Sequence, residues 1–478
     1  MNNILKKLNN DFVFLTFGTV LGSFIKFFYS VFSKKMVDPT EYGVFSAICI
    51  ISTYLNYLQL GTMNAYNRDY PQLKGAGKIE KAKTVKNVTL TYLLIVYGIV
   101  ATGAIICIPV YSIAKNIPFI QEIGYILAFV GAFLTILSSF ATFSAKMEGK
   151  FNYAALVYIV QVLLGVGLGL LLIYKIGYLG LYAEGMLASI VGCILFYKYW
   201  LSDFKFTFDL KLMKIMLISG IPLLVNNLIW TVVGSIDKFI ILGFMDTTAL
   251  GYYSIATMGF STMVLIPQTM SNVFYIKVNQ EYGKTKDKVI LVQSAQKYTF
   301  ISAMCTGLIC LITYYVLPIF VKLAMPNYQK GVGAAQIIII GVAIYASTML
   351  YGNIFTILKE NKALLTNSIS LCIFNAVFST SFVLFTGKTV ENVAVGTSLS
   401  YALYSVLLVI RLMKISHLSL GSFFYYSWFP VLSAVLPCIV FQSWNCSDYL
   451  KLAFSLLICL VTCSIVYAKD IKNLFKQR

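Results

Sequence analysis

The run VTLTYLLIVYGIVATGAIICIPVYS, residues 88–112, contains no Asp, Glu, Lys or Arg. It is continuous rather than alternating, and a helix crosses the hydrocarbon core of a bilayer in about 20 such residues. A barrel strand would alternate with period two and end after about ten. Thirteen further runs read the same way: 12–32, 44–65, 122–145, 153–174, 178–197, 217–241, 249–275, 298–321, 334–357, 363–386, 392–413, 425–442 and 451–468. The chain is therefore expected to be an all-α, polytopic membrane protein with about 14 transmembrane helices. Lys6 and Lys7 precede the first run, which is too long for the apolar core of a cleaved signal and is followed by no small-residue cleavage site. It is taken as the first span.

Composition agrees. Of 478 residues, 59% are hydrophobic and 12% charged, with mean hydropathy +0.81. A soluble domain is about half apolar and about a quarter charged. Too little polar surface remains to coat a soluble enzyme of this size, and a disordered scaffold is excluded by the same excess. The net charge of +19 would suit nucleic acid, but in so apolar a chain it fits topology signals and anionic lipid better. One histidine speaks against a His-based metal or acid–base centre. Nine of the ten cysteines lie in apolar runs, Cys446 lies in a polar stretch, and none forms a Cys-x-x-Cys. They read as small packing residues.

The positive charge is unevenly placed. With the N-terminus on the cytoplasmic side, inner segments hold 27 of the 37 Lys and Arg, outer segments nine, and Lys26 lies within a span. This threefold bias supports the orientation and an even number of crossings, with both termini cytoplasmic. Outer loops are about a dozen residues at most, so little of the chain lies outside the bilayer.

Two landmarks recur. Pro39-Thr40-Glu41-Tyr42-Gly43-Val44-Phe45-Ser46 follows the first run, and Thr247-Thr248-Ala249-Leu250-Gly251-Tyr252-Tyr253-Ser254 follows the seventh, with their glycines 208 residues apart. The basic turns around Glu148 and Glu360 are 212 apart. Six spans preserve orientation, so the repeat is parallel. The expected organisation is an N-lobe at 1–200 with spans 1–6, an interfacial linker at 201–216, a C-lobe at 217–414 with spans 7–12, and two further spans plus a basic tail at 415–478. The linker mixes Phe with Lys and Asp, as an interfacial segment does.

These elements resemble a known family. Pro39-Thr40-Glu41-Tyr42-Gly43, Ser219-Gly220-Ile221-Pro222-Leu223, Asp237-Lys238 and Leu250-Gly251-Tyr252-Tyr253-Ser254 are similar to elements of the Wzx-type O-antigen and capsule repeat-unit flippases. That group shares a superfamily with the multidrug (MATE) exporters and the peptidoglycan lipid flippase. The resemblance implies two six-helix lobes in a V plus two extra helices. It implies transfer of an undecaprenyl-pyrophosphate-linked oligosaccharide from the inner to the outer leaflet of a bacterial inner (plasma) membrane, by alternating access coupled to an ion gradient. Pro39, Glu41, Tyr42, Gly43, Pro222 and Gly251 are then motif residues. The partners implied are the lipid-linked substrate, membrane lipids and other polysaccharide-assembly membrane proteins, with no nucleic acid.

A pyrophosphate crossing hydrocarbon needs its charge compensated, and a Lys within a span costs about 3 kcal/mol, so it usually faces a wet cavity. Lys26, Arg68 and Lys238 are the candidate cavity cations. Asp237 and Glu184 are the candidate ion-coupling acids. Shifted by 208, Lys26 falls at 234, one helical turn from Asp237, and the two are expected at related positions, able to pair across a cleft. Plainer readings are a snorkelling Lys26, an interfacial Glu184, a topology-anchoring Arg68 and a solvated helix end at Asp237. Asn226, Asn227, Gln268, Asn272 and Asn375 suit sugar hydroxyls or helix–helix hydrogen bonds. Pro222, Pro267 and Pro318 are candidate kinks. No phosphate-cradling loop, HExxH or nucleophile–base–acid set is present, so no cofactor, metal or ATP hydrolysis is expected. The alternatives are a MATE-like cation antiporter, which would place an acid deep in the first lobe where the first run offers only Asp11 at its inner end, and a membrane polymerase or ligase, which would need a large outer loop.

Overall fold

In the computed structural model the backbone is described for residues 2–444 and 446–476, and side chains from residue 18 to 468 except Leu223, Asn226, Ile276, Asn361, Ser443 and Asn445. The side chains of Asp11 and Asn226 thus lie outside the described residues. Among these every regular element is helical. The elements are α1 (Asn2–Met36), α2 (Pro39–Leu55), α3 (Thr62–Gly75), α4 (Ile79–Lys115), α5 (Phe119–Met147), α6 (Phe151–Ile176), α7 (Gly180–Leu195), α8 (Tyr197–Trp200), α9 (Leu210–Phe244), α10 (Thr247–Thr285), α11 (Lys288–Ala324), α12 (Val332–Ser347), α13 (Met349–Ile357), α14 (Asn361–Thr386), α15 (Val390–Ser416), α16 (Leu420–Phe423), α17 (Phe429–Val440) and α18 (Asp448–Lys476).

Each of the fourteen apolar runs lies mainly on these helices, with breaks or short 3-10 or π turns inside 44–65, 178–197, 334–357 and 425–442. Among the described residues eleven stretches are long and apolar enough to cross a membrane, or twelve with the bent α2–α3 pair counted as one span. In that reckoning α6 and α7 fall in one stretch, Phe151–Leu195, although they pack along each other as a hairpin.

The chain divides into two compact units, Met1–Thr231 and Val232–Arg478, the division falling within α9. In the first unit, α6 packs on α1 and α7, and α5 on α2, α4 and α7. In the second, α12 packs on α10, α11 and α15, and α14 on α15, while α17 and α18 rest on α11. Helices in hydrocarbon gain nothing by hiding apolar surface from lipid, so small residues that allow close approach drive association. The buried faces follow that rule, with Gly124, Ala128, Ala132, Ala141 and Ala145 along α5. Large apolar side chains point outward instead, among them Ile113, Tyr174, Leu323 and Phe385. Exposed hydroxyls within the helices bond the carbonyl four residues back, as Thr53 does to Cys49 (2.9 Å) and Thr462 to Ile458 (2.7 Å), so they meet lipid already satisfied.

The internal repeat is written in the helix ends. Ile79–Lys115 and Lys288–Ala324 are offset by 209 at both ends, and Phe151–Ile176 and Asn361–Thr386 by 210 at both ends. The end of α1 and start of α2 match the end of α9 and start of α10 at 208. One element departs from the pattern. The α2–α3 pair is bent by 45°, whereas its counterpart α10 is unbroken. At the bend Leu60 and Gly61 have φ of 47° and 85°, which only glycine adopts freely. There Gly61 meets the backbone of Gly220 on α9, where a side chain on either would collide.

Residues 201–209 connect the last turn of the first six spans to α9. The amide of Thr207 donates to Thr91 Oγ1 (3.1 Å), and Asp209 Oδ1 accepts from the Leu212 amide (2.9 Å) to start α9. Phe208 and Met213 line a cavity of about 190 Å³ against Val88 and Tyr92. The segment is docked on α4.

Candidate functional site

In the second unit Asp237 is partly buried on α9. Tyr253 Oη on α10 donates to its Oδ2 (2.5 Å), and Thr397 Oγ1 on α15 donates to its Oδ1 (2.7 Å). Beside it on α14, Ser379 Oγ donates to Asn375 Oδ1 (2.9 Å), and Asn375, Ser379 and Thr397 are all buried. Val393 O lies 3.0 Å from Thr397 Oγ1. A carboxylate inside a helical bundle surrounded by oxygen atoms from three other helices is suited to exchange a proton or a small cation. Asp237 is therefore an interior group, unlike the solvated helix end that its position near residue 240 allowed.

In the first unit Lys26 Nζ on α1 lies 3.5 Å from Glu184 Oε1 on α7. The Lys26 side chain is 47% exposed and that of Glu184 16%. Tyr29, one turn along α1, is close by, for a Cβ on Gly169 would lie 3.1 Å from Glu184 Cβ and 3.4 Å from the Tyr29 ring. Within its own unit Lys26 faces Glu184, and within its own unit Asp237 accepts from Tyr253 and Thr397. Glu184 starts α7 but turns inward, because the glycines of α6 let α7 approach closely.

The Pro-x-Glu-Tyr-Gly stretch opens α2. Pro39 occupies the first turn, where its missing N–H costs nothing, and Gly43 is buried. Tyr42 holds a buried lysine: Lys34 is 2% exposed. Its Nζ donates to Ser30 Oγ (2.7 Å) and Tyr42 Oη (3.1 Å) and lies 4.2 Å from the Tyr42 ring centroid. Tyr42→Phe should keep the ring and lose one acceptor of a buried ammonium, lowering stability by about 1.5–3 kcal/mol. The thermal midpoint of detergent-solubilised protein reads this, and an unchanged midpoint would remove Tyr42 as the holder of Lys34. Glu41 is exposed and Gly251 buried. Pro222 lies within α9 two residues after the Gly220 contact.

Arg68 is exposed and bonded to its neighbour Asp69 (2.6 Å). Lys238 is partly buried, and among the described residues it makes no ion pair. Of the described amides, Asn375 belongs to the Asp237 network, whereas Asn227, Gln268 and Asn272 are exposed. Tyr253, Thr397, Ser379 and Tyr29 were not singled out as site residues. The repeat offset carried to Asp237 marks Tyr29, whereas Tyr253, Thr397 and Ser379 are marked only by the carboxylate they surround.

A sequence profile described as polysaccharide biosynthesis protein matches residues 35–278, half of the chain. The chain belongs to this family. No curated protein matches the sequence. Among solved structures, the lipid II flippase MurJ in an inward closed conformation is similar, with TM-score 0.73 at 14% identity over 96% of this chain and 100% of that one. An inward-facing multidrug-resistance MATE transporter of the MOP superfamily matches with TM-score 0.68 at 16% identity, over 82% of this chain and 95% of that one. A MOP superfamily transporter from Pyrococcus furiosus matches with TM-score 0.59 at 18% identity, over 85% and 95%. At these identities the likeness establishes the fold, which is that of the MOP transporters.

Within each unit of this polysaccharide biosynthesis protein, turns assigned to the same side by charge do meet. Asp246, Tyr252, Lys330, Lys388 and Glu391, from three turns assigned to the outer side, line one open cavity of about 540 Å³. At the opposite ends, Glu148 accepts from Lys74 Nζ (2.6 Å) and Tyr70 Oη (2.6 Å), and Lys86 Nζ donates to Tyr199 O (2.7 Å). Burial pushes the Glu148 carboxyl up, but Lys74 and Tyr70 outweigh it and hold it below the usual carboxylate range.

Proposed function

We propose that the chain is a flippase that carries an undecaprenyl-pyrophosphate-linked oligosaccharide repeat unit, of O-antigen or capsule type, from the inner to the outer leaflet of a bacterial inner membrane. The observation that carries this reading is the polysaccharide biosynthesis family match on a MOP transporter fold. On this reading both termini lie in the cytoplasm, which the charge bias supports. The lipid tail stays in hydrocarbon while the two-phosphate head is accompanied by fixed positive charge. Lys238 is the foremost cation for that role, because it lies on a span beside Asp237 with no ion-pair partner among the described residues. Arg68 meets the head group from the inner side, with part of its charge already answered by Asp69. Asp237 is the ion-coupling acid. Its occupation by a proton or sodium ion changes the charge beside Lys238 and so biases one conformation over another.

The test is reconstitution in proteoliposomes with lipid-linked oligosaccharides, scoring their appearance in the opposite leaflet under an imposed ion gradient. Gradient-dependent transfer is expected. Export of small organic cations with no lipid transfer would replace this reading with a drug antiporter.

A further inference from the structure

We propose that Lys26 is a built-in counter-ion: a tethered ammonium that neutralises Glu184 in the first unit, at the place where the second unit offers Asp237 to an exchangeable ion. The inference rests on the ion-coupling reading of Asp237 and adds what its quasi-equivalent site does.

The repeat register makes the comparison residue by residue. At the 208 offset of α1 and α9, Asp237 corresponds to Tyr29. At the 210 offset of α6 and α14, Asn375 and Ser379 correspond to Gly165 and Gly169. The first unit thus lacks the carboxylate on its first helix and both oxygen-bearing side chains that flank it. The vacated volume is filled by α7 itself. A Cβ on Gly165 would lie 2.8 Å from the Glu184 carbonyl oxygen, and one on Gly169 3.1 Å from Glu184 Cβ. The negative charge enters from α7 instead of α1, and Lys26 meets it from α1 at 3.5 Å. Among the described residues Glu184 Oε1 and Tyr29 Oη are buried and have no hydrogen-bond partner, so the ammonium is the compensation that this oxygen receives. A charge pair inside one polypeptide needs no ion from solution, and a buried carboxylate stripped of its partner is strongly destabilising. The first unit therefore brings its own cation, and ion dependence belongs to the second.

Four proteins test this: wild type, Lys26→Met, Glu184→Gln and the double variant. Each is measured for thermal midpoint in detergent, for lipid-linked oligosaccharide transfer and for its dependence on the driving ion. Each single change is expected to lower the midpoint and to cut transfer about tenfold, within the range that coupled neighbours show. The double variant should recover both, with the ion dependence of the wild type. A double variant that is stable yet as inactive as Lys26→Met would overturn the proposal and make Lys26 a substrate cation. Additive losses in midpoint would also overturn it, since groups that neutralise each other cannot act independently. If the wild type transfers no lipid-linked oligosaccharide, the proposed function fails, while the four midpoints still decide whether the pair exists.

Discussion

Asp237→Asn is expected to remove the ion dependence of transport and to lower its rate under a gradient by about 5- to 150-fold, the range of a lost coupling of about 1–3 kcal/mol. The substitution keeps the shape of the side chain and deletes its charge. It also breaks the hydrogen-bond pattern, because Asp237 accepts from both Tyr253 and Thr397. The amide nitrogen of Asn accepts from neither, so one hydroxyl is left facing a donor. Thr397→Val should reproduce part of the effect while leaving the carboxylate in place. Initial rates at several imposed proton and sodium gradients, with equal amounts of inserted protein, give the answer. A rate and gradient response equal to wild type would exclude Asp237 from coupling.

Gly220→Val should cost stability by about 1–3 kcal/mol or more, as overpacked sites do. The bend between α2 and α3 approaches α9 backbone to backbone. A Cβ at Gly220 would be driven into the carbonyl of Gly61 and lie 2.6 Å from its carbon and 3.0 Å from its Cα. Neither neighbour is a side chain that can swing away. The same junction is tied by Tyr57, whose Oη donates to Asn227 O (3.0 Å) and lies in hydrogen-bond contact with Thr231 Oγ1. Gly98→Ala is the control, for among the described residues nothing lies within 4 Å of its added methyl, and helix propensity alone favours it by about 1 kcal/mol. Thermal midpoints in detergent that fall equally in both variants would show that the Gly61–Gly220 approach is not specific.

The helices were legible because hydrocarbon imposes length and apolarity on every span. The repeat was legible from two glycine-containing stretches, and helix ends later tightened its offset. The pairings were not. Lys26 and Glu184 are 158 residues apart in sequence, and only the packing of α1, α6 and α7 brings them together. Lys34 sits near a helix end, where lysines ordinarily snorkel, and its burial depends on Ser30 and on Tyr42 across the turn. Thr397 and Asn375 look like ordinary helix-joining polar residues, and their role emerges only from the carboxylate they surround. Glu184 was expected at an interface by its place early in a span. Two glycines on another helix let it pack inward against α6, which its sequence position does not reveal.

The lengths of α10 and α11 have a practical consequence. At 39 and 37 residues they run about 58 and 55 Å at 1.5 Å per residue, against about 30 Å of hydrocarbon. Even tilted, the hairpin projects a stiff finger into water, tipped by Lys284, Lys286 and Lys288 around a two-residue turn. That tip gives antibody fragments a charged, rigid surface to grip. A nanobody raised against that fingertip would serve as a sidedness marker for inserted protein and as a fiducial for particle alignment.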